Sequence, residues 1–108
     1  MSKYHSKKIT VEGESFDSKK EFQRWVVLRG QEARGEISDL RRQVPYELIP
    51  KQRGRHRAER PISYIADFVY RDETGETVVE DTKGFRTPEY RIKRKLLLWR
   101  YGISIYET

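Results

Sequence analysis

The 108-residue chain is 35% hydrophobic and 37% charged, with a formal net charge of +6. That length suits one domain with a small core, and the absence of cysteine excludes a disulfide framework or a thiolate metal site. No apolar run approaches the roughly 18 residues of a membrane helix, so a membrane is not an expected partner.

Residues 1–8, MSKYHSKK, read as a basic tail that lacks the apolar segment of a signal peptide. Residues 9–108 read as a single domain, expected in a reducing cytoplasm. ITVEGESF (9–16) alternates around Glu12–Gly13 and suits a short hairpin. A helix should open at Asp17–Ser18, where Ser18 and Glu21 have capping-box spacing. Phe22, Trp25, Val26 and Leu28 give it an amphipathic pattern to about Ala33, and Gly35 supplies the stop. Val44, Tyr46 and Leu48 then alternate as in a strand, and Pro45 between them points to a sheet edge or a break in pairing.

KQRGRHRAER (51–60) reads as a basic loop, with five Lys/Arg against one acid. ISYIADFVY (62–70) is rich in β-branched and aromatic residues and predicts a strand. DETG (72–75) predicts a tight turn, and ETVVEDTK (76–83) the return strand. Pro88 suits the first turn of a second helix, with Ile92, Leu96 and Trp99 as its inward face and Gly102 as its end. ISIYE (103–107) predicts a last short strand. Residues 86–100 carry six Lys/Arg against one acid. The order helix, three strands, helix, strand predicts a mixed α/β domain. Basic charge concentrated in two segments points to a polyanion such as nucleic acid, although solvated faces would look the same.

The hairpin brings acids together. If its loop is the three residues Glu73–Gly75, with Gly75 left-handed, Asp72 pairs with Glu76 and Asp67 falls opposite Asp81. Opposed residues share a face about 5 Å apart, and Lys83, two residues beyond Asp81, shares it too. A loop of two or four residues would instead set Asp67 against Glu80. Like charges so placed repel and need a cation; Lys83 supplies one charge, and a divalent ion such as Mg²⁺, suited to carboxylate oxygens, supplies two. Glu21 lies on the same helical face as Trp25 and Leu28, which makes it either a helix cap or a third carboxylate. The two histidines, His5 and His56, stand in the tail and the basic loop and make no zinc site.

These residues resemble the PD-(D/E)XK nuclease superfamily, which includes restriction-enzyme-like nucleases and archaeal-type Holliday junction resolvases. The shared signature is an acid on one strand (Asp67), then an acid–any–lysine triplet on the next (Asp81–Thr82–Lys83). Many members add a glutamate from the first helix, here Glu21. The resemblance covers roughly residues 9–107 and extends to a group of small phage-encoded proteins regarded as endonucleases. Ala66 stands where a proline often precedes the first acid, and Asp81 where glutamate is commoner.

The resemblance implies a restriction-endonuclease-like core and a metal-dependent endonuclease that hydrolyses DNA, branched or otherwise structured. Asp67 and Asp81 would be metal ligands, Glu21 a further ligand, and Lys83 would orient the attacking water. Mg²⁺ would be the cofactor, with Mn²⁺ as a substitute. Arg53, Arg55, Arg57, Arg86, Arg91 and Lys93 would contact DNA phosphates, with Arg94 and Lys95 nearby. Such contacts position DNA without reading sequence. Two-fold symmetric junctions suit a homodimer. A phage-encoded chain would work in the cytoplasm of a bacterial host. Two other readings remain open: a non-catalytic DNA-binding or architectural protein, and a regulator of a nucleic-acid enzyme.

Overall fold

A computed structural model describes residues 8–82 and 85–108. Lys83, Gly84 and nearly all of the basic tail lie outside the described residues. The elements run β1 (Ile9–Val11), β2 (Glu14–Phe16), α1 (Lys19–Ala33), β3 (Ser38–Ile49), β4 (Gln52–Arg53), β5 (Ala58–Glu59), β6 (Ile62–Arg71), β7 (Thr77–Asp81), α2 (Pro88–Tyr101) and β8 (Tyr106–Glu107). The chain is therefore a mixed α/β domain with the expected order of helix, three long strands, helix and strand, plus two short hairpins.

The main sheet has the order β3-β6-β7-β8, antiparallel except for the parallel β7–β8 pair. Pro45 sits on the edge strand β3, where a missing N–H can face away from the ladder. Glu12 and Gly13 turn the β1–β2 hairpin with φ of 51° and 80°, as a two-residue turn with left-handed central residues requires. Ser18 caps α1 by accepting the Glu21 N–H at 3.1 Å. Helix α2 begins with Pro88 behind the Thr87 cap and ends at Gly102, φ 69°.

One helix covers each face of the sheet. Leu28 and Trp25 of α1 pack with Phe68, Tyr70 and Val78. Tyr90 and Leu97 of α2 pack with Val69, Val79, Tyr64, Ala66 and Leu48. Leu28 and Leu97 are fully buried, each contributing roughly 1.5–3 kcal/mol of transfer free energy. Along β6 the alternation changes sense at Asp67: Tyr64 and Ala66 lie in the α2 cluster, while Phe68 and Tyr70 lie in the α1 cluster. Gln43, which the register sets opposite Asp67, has φ 53°. The strand pair is thus irregular at the acid.

Three expectations need correction. Residues 51–60 are not an unstructured loop: β4 and β5 pair as a small hairpin, closed by the Gly54 N–H donating to the Arg57 carbonyl at 2.9 Å. The inward face of α2 is not Ile92, Leu96 and Trp99. Ile92 is 60% and Trp99 81% exposed, and only Leu96 packs partly against the core. Apolar residues surround the second half of α2, so periodicity alone left its face undecided. Tyr90 and Leu97, seven residues apart, share the buried side with Arg94, and the bonds of Tyr90 and Arg94 to Glu107 fix it. The last strand pairs only at Tyr106–Glu107, while Ile103 and Ile105 pack on the core instead.

Candidate functional site

The β6–β7 turn decides which acids meet. Asp72 donates its N–H to the Glu76 carbonyl at 2.9 Å, and Gly75 donates to the Asp72 carbonyl at 3.0 Å. Gly75 is left-handed, φ 86°. The Asp72 carboxylate holds the loop by accepting from the Thr74 N–H and hydroxyl and the Glu76 N–H, at 2.9, 2.6 and 3.1 Å. The loop is therefore the three-residue form, and the register runs Arg71↔Thr77 to Phe68↔Glu80. Pairing ends at Phe68↔Glu80, and Asp67 and Asp81 are the next residues on the two strands. The Thr82 N–H donates to Asp67 Oδ2 at 2.9 Å, which ties the acid to the end of β7.

Asp81 is 1% exposed. The Tyr64 hydroxyl donates to its Oδ2 at 2.7 Å. Burial and the Asp81 charge hold the Tyr64 phenol far above its ordinary range, so it stays a donor. Burial also raises the pKa of Asp67. Asp81 and the Thr82 N–H pull it back, and the neighbouring Glu21 carboxyl pushes it up. Asp81 and Glu21 are thus both close enough to perturb Asp67.

Glu21 plays both parts left open by its sequence position. It is 3% exposed on the inward face of α1. Its Oε1 accepts the Asp17 N–H at 3.0 Å, a capping bond one residue upstream of the ordinary box, and Arg42 Nη2 lies 3.7 Å away. Its carboxyl also reaches Asp67. Lys83, expected beside these acids, lies outside the described residues.

Glu80 faces the other side. It is fully buried. Arg24 grips it with two hydrogen bonds, the Nη2–Oε1 one at 2.9 Å; the Tyr70 hydroxyl donates to Oε1 at 2.7 Å and the Thr108 hydroxyl to Oε2 at 3.2 Å. Arg24 carried a signal in the sequence. It stands three residues after Glu21 and four before Leu28, on the buried stripe, where a cation needs an anion.

A second cluster went unread. Glu107 of β8 pairs with Asp81 in the parallel register. Arg86 Nε donates to it at 2.8 Å, the Tyr90 hydroxyl at 2.6 Å and Arg94 Nη1 at 3.1 Å. These donors lower the Glu107 pKa to about 2. No spacing rule links Glu107 to residues 13 to 21 positions upstream; the β8 register makes the link.

The basic residues expected to meet nucleic acid fall into two groups. Arg53, Arg55 and Arg57 are exposed on the β4–β5 hairpin, with Arg57 3.4 Å from Glu59. Arg91 is exposed on α2, Lys93 lies 3.7 Å from Glu89, and Arg86 is engaged by Glu107. Among the described residues no three acids or histidines are arranged so as to hold a metal ion, and no helix is long and apolar enough to cross a membrane.

Fold and site together define a small mixed α/β domain with a buried carboxylate cluster on its central hairpin. The chain belongs to the family described as protein of unknown function DUF1064, whose model matches residues 1–105. Comparisons with curated proteins and with solved structures give no match.

Proposed function

We propose that the chain is a metal-dependent endodeoxyribonuclease with a restriction-endonuclease-like core, acting on branched or structured DNA. One observation supports this reading: Asp67, bound by the Thr82 N–H at the end of β7, lies within reach of both the Asp81 and the Glu21 carboxyls. Acids so crowded, with the pKa of one raised by burial and by a neighbouring carboxyl, cost stability. A site that binds a cation recovers that cost. All three contribute hard oxygen donors, which suit Mg²⁺ or Mn²⁺. In this reading Asp67, Asp81 and Glu21, which are not arranged to hold a metal ion as they stand, would draw together around it.

Such an ion supplies Lewis acidity at the scissile phosphate and a more acidic water. Tyr64 and the Thr82 N–H keep the two aspartates in place. Lys83, two residues past Asp81, would hold the attacking water and face the charge that develops on the phosphate oxygens. The water oxygen bonds to phosphorus as the P–O bond to the leaving strand breaks. The leaving oxygen takes up a proton, and one strand ends in a phosphate, the other in a hydroxyl. Arg53, Arg55, Arg57, Arg91 and Lys93 would position the backbone, so binding should weaken steeply with salt.

One observation favours the non-catalytic DNA-binding reading. An oxygen of each acid already accepts a donor from the fold: Tyr64 on Asp81, the Thr82 N–H on Asp67, the Asp17 N–H on Glu21. Asp67→Ala and Lys83→Ala separate the two readings. A nuclease should lose cleavage roughly a hundredfold or more while keeping its DNA affinity. A wild type that binds DNA and cuts none, with Mg²⁺ or Mn²⁺, would make the acids structural.

A further inference from the structure

Arg86, Tyr90 and Arg94 surround a single carboxylate. Glu107 Oε1 takes Arg86 Nε at 2.8 Å and lies 2.7 Å from its Nη2; Oε2 takes the Tyr90 hydroxyl at 2.6 Å and Arg94 Nη1 at 3.1 Å. Two guanidinium groups and a phenol meet one negative charge, so the cluster stays net positive. An Arg fork closed on one oxygen of an anion, with further donors on the second oxygen, suits phosphate as well as carboxylate. The cluster is open to solvent, with Arg86 half-exposed and Arg94 about a third exposed.

Its position matters more than its composition. Glu107 pairs with Asp81, and the Thr108 N–H donates to the Asp81 carbonyl at 3.0 Å. An anion held in place of the Glu107 carboxylate would lie one strand from the candidate metal ligands.

We propose that Arg86, Tyr90 and Arg94 form a binding cradle for a backbone phosphate of DNA, occupied in the free protein by the carboxylate of Glu107, which the phosphate displaces. The proposal rests on the nuclease reading for its ligand but not for its test, which needs no cleavage. Glu107 acts as an internal competitor. It keeps two arginines and a tyrosine ordered beside the acids, and it sets a threshold that stray anions do not pass. DNA crosses that threshold because contacts at the β4–β5 hairpin and along α2 hold the phosphate at high local concentration.

The test is DNA binding without divalent metal. Wild type, Glu107→Gln and Glu107→Gln/Arg94→Gln are titrated with a labelled short duplex at fixed salt. Inorganic phosphate is titrated separately, with melting temperature as the readout. Glu107→Gln should bind the duplex roughly tenfold tighter, as expected when one competing charge leaves a charge-assisted site. The double variant should lose that gain. Phosphate should raise the melting temperature of Glu107→Gln more than that of the wild type. Equal duplex affinity for wild type and Glu107→Gln, or a gain that survives loss of Arg94, overturns the proposal. A phosphate response without a duplex gain overturns the assignment to the DNA backbone. If Glu107→Gln does not fold, Arg94→Gln in the wild type carries the test: it should weaken duplex binding, and unchanged affinity overturns the cradle. Absence of cleavage with Mg²⁺ would remove the nuclease reading and leave these binding results standing.

Discussion

Asp67→Asn removes one negative charge from the carboxylate cluster while leaving its shape. The Asn oxygen can still accept the Thr82 N–H that Asp67 accepts at 2.9 Å. Burial penalises the Asp67 charge first, and the neighbouring Glu21 carboxyl adds to that; at an effective dielectric near 20 two unit charges about 5 Å apart repel by about 3 kcal/mol. The Arg42 guanidinium near Glu21 offsets part of that repulsion, so the variant should gain about 1–2 kcal/mol. For a domain of this size each kcal/mol moves the melting temperature by roughly 4–8 °C. The pH dependence follows from the raised folded pKa of Asp67. Its ionised form costs stability once pH rises above the ordinary value of 3.8 and through the folded value. The gain in Asp67→Asn should therefore be full at neutral pH and vanish below about 3.8. Thermal melts followed by circular dichroism across that range measure it. Mg²⁺ should stabilise the wild type and narrow the gap, because an ion that binds only the folded state adds to its stability. A variant that melts no higher than the wild type at neutral pH, in chelator, would refute the reasoning that the Asp67 charge is held at a cost.

Arg24→Ala leaves fully buried Glu80 without its cation and should cost about 3–5 kcal/mol in urea unfolding; a loss under about 1 kcal/mol would mean that Tyr70 and Thr108 satisfy the charge alone. Trp99→Ser should change stability by less than about 0.5 kcal/mol, since Trp99 is 81% exposed; a large loss would restore it to the core. Glu107 has its folded pKa lowered from 4.5 to about 2. Its contribution should be complete above pH 4.5 and fade as pH falls towards about 2. The stability difference between wild type and Glu107→Gln should close over that window, and a difference persisting at its acid end would put the effect elsewhere.

Local signals explain what could be read from the residues. Gly75 in DETG could take a left-handed φ, and that selected the three-residue loop, whose register sets Phe68 rather than Asp67 against Glu80. Pro88 and Gly102 bracketed α2 for equally local reasons. Glu21 was recognisable as inward from its spacing to Trp25 and Leu28, though not as cap and cluster member at once, because that depends on where β6 lies beneath α1. What escaped depended on long-range register. The buried side of α2 is set by Glu107 on β8. The reversed alternation at Asp67 is matched by the left-handed Gln43 on the facing strand, and no period-2 pattern could predict it. The β4–β5 hairpin has only two residues per strand, too few for any alternation to show.

The most direct measurement is incubation of the wild-type protein with end-labelled four-way junction DNA, with Mg²⁺, with Mn²⁺ and with chelator, resolved on a denaturing gel. The nuclease account predicts discrete shortened strands with either metal and none with chelator. Intact strands in every lane, under conditions where the protein shifts the same junction on a native gel, would contradict it.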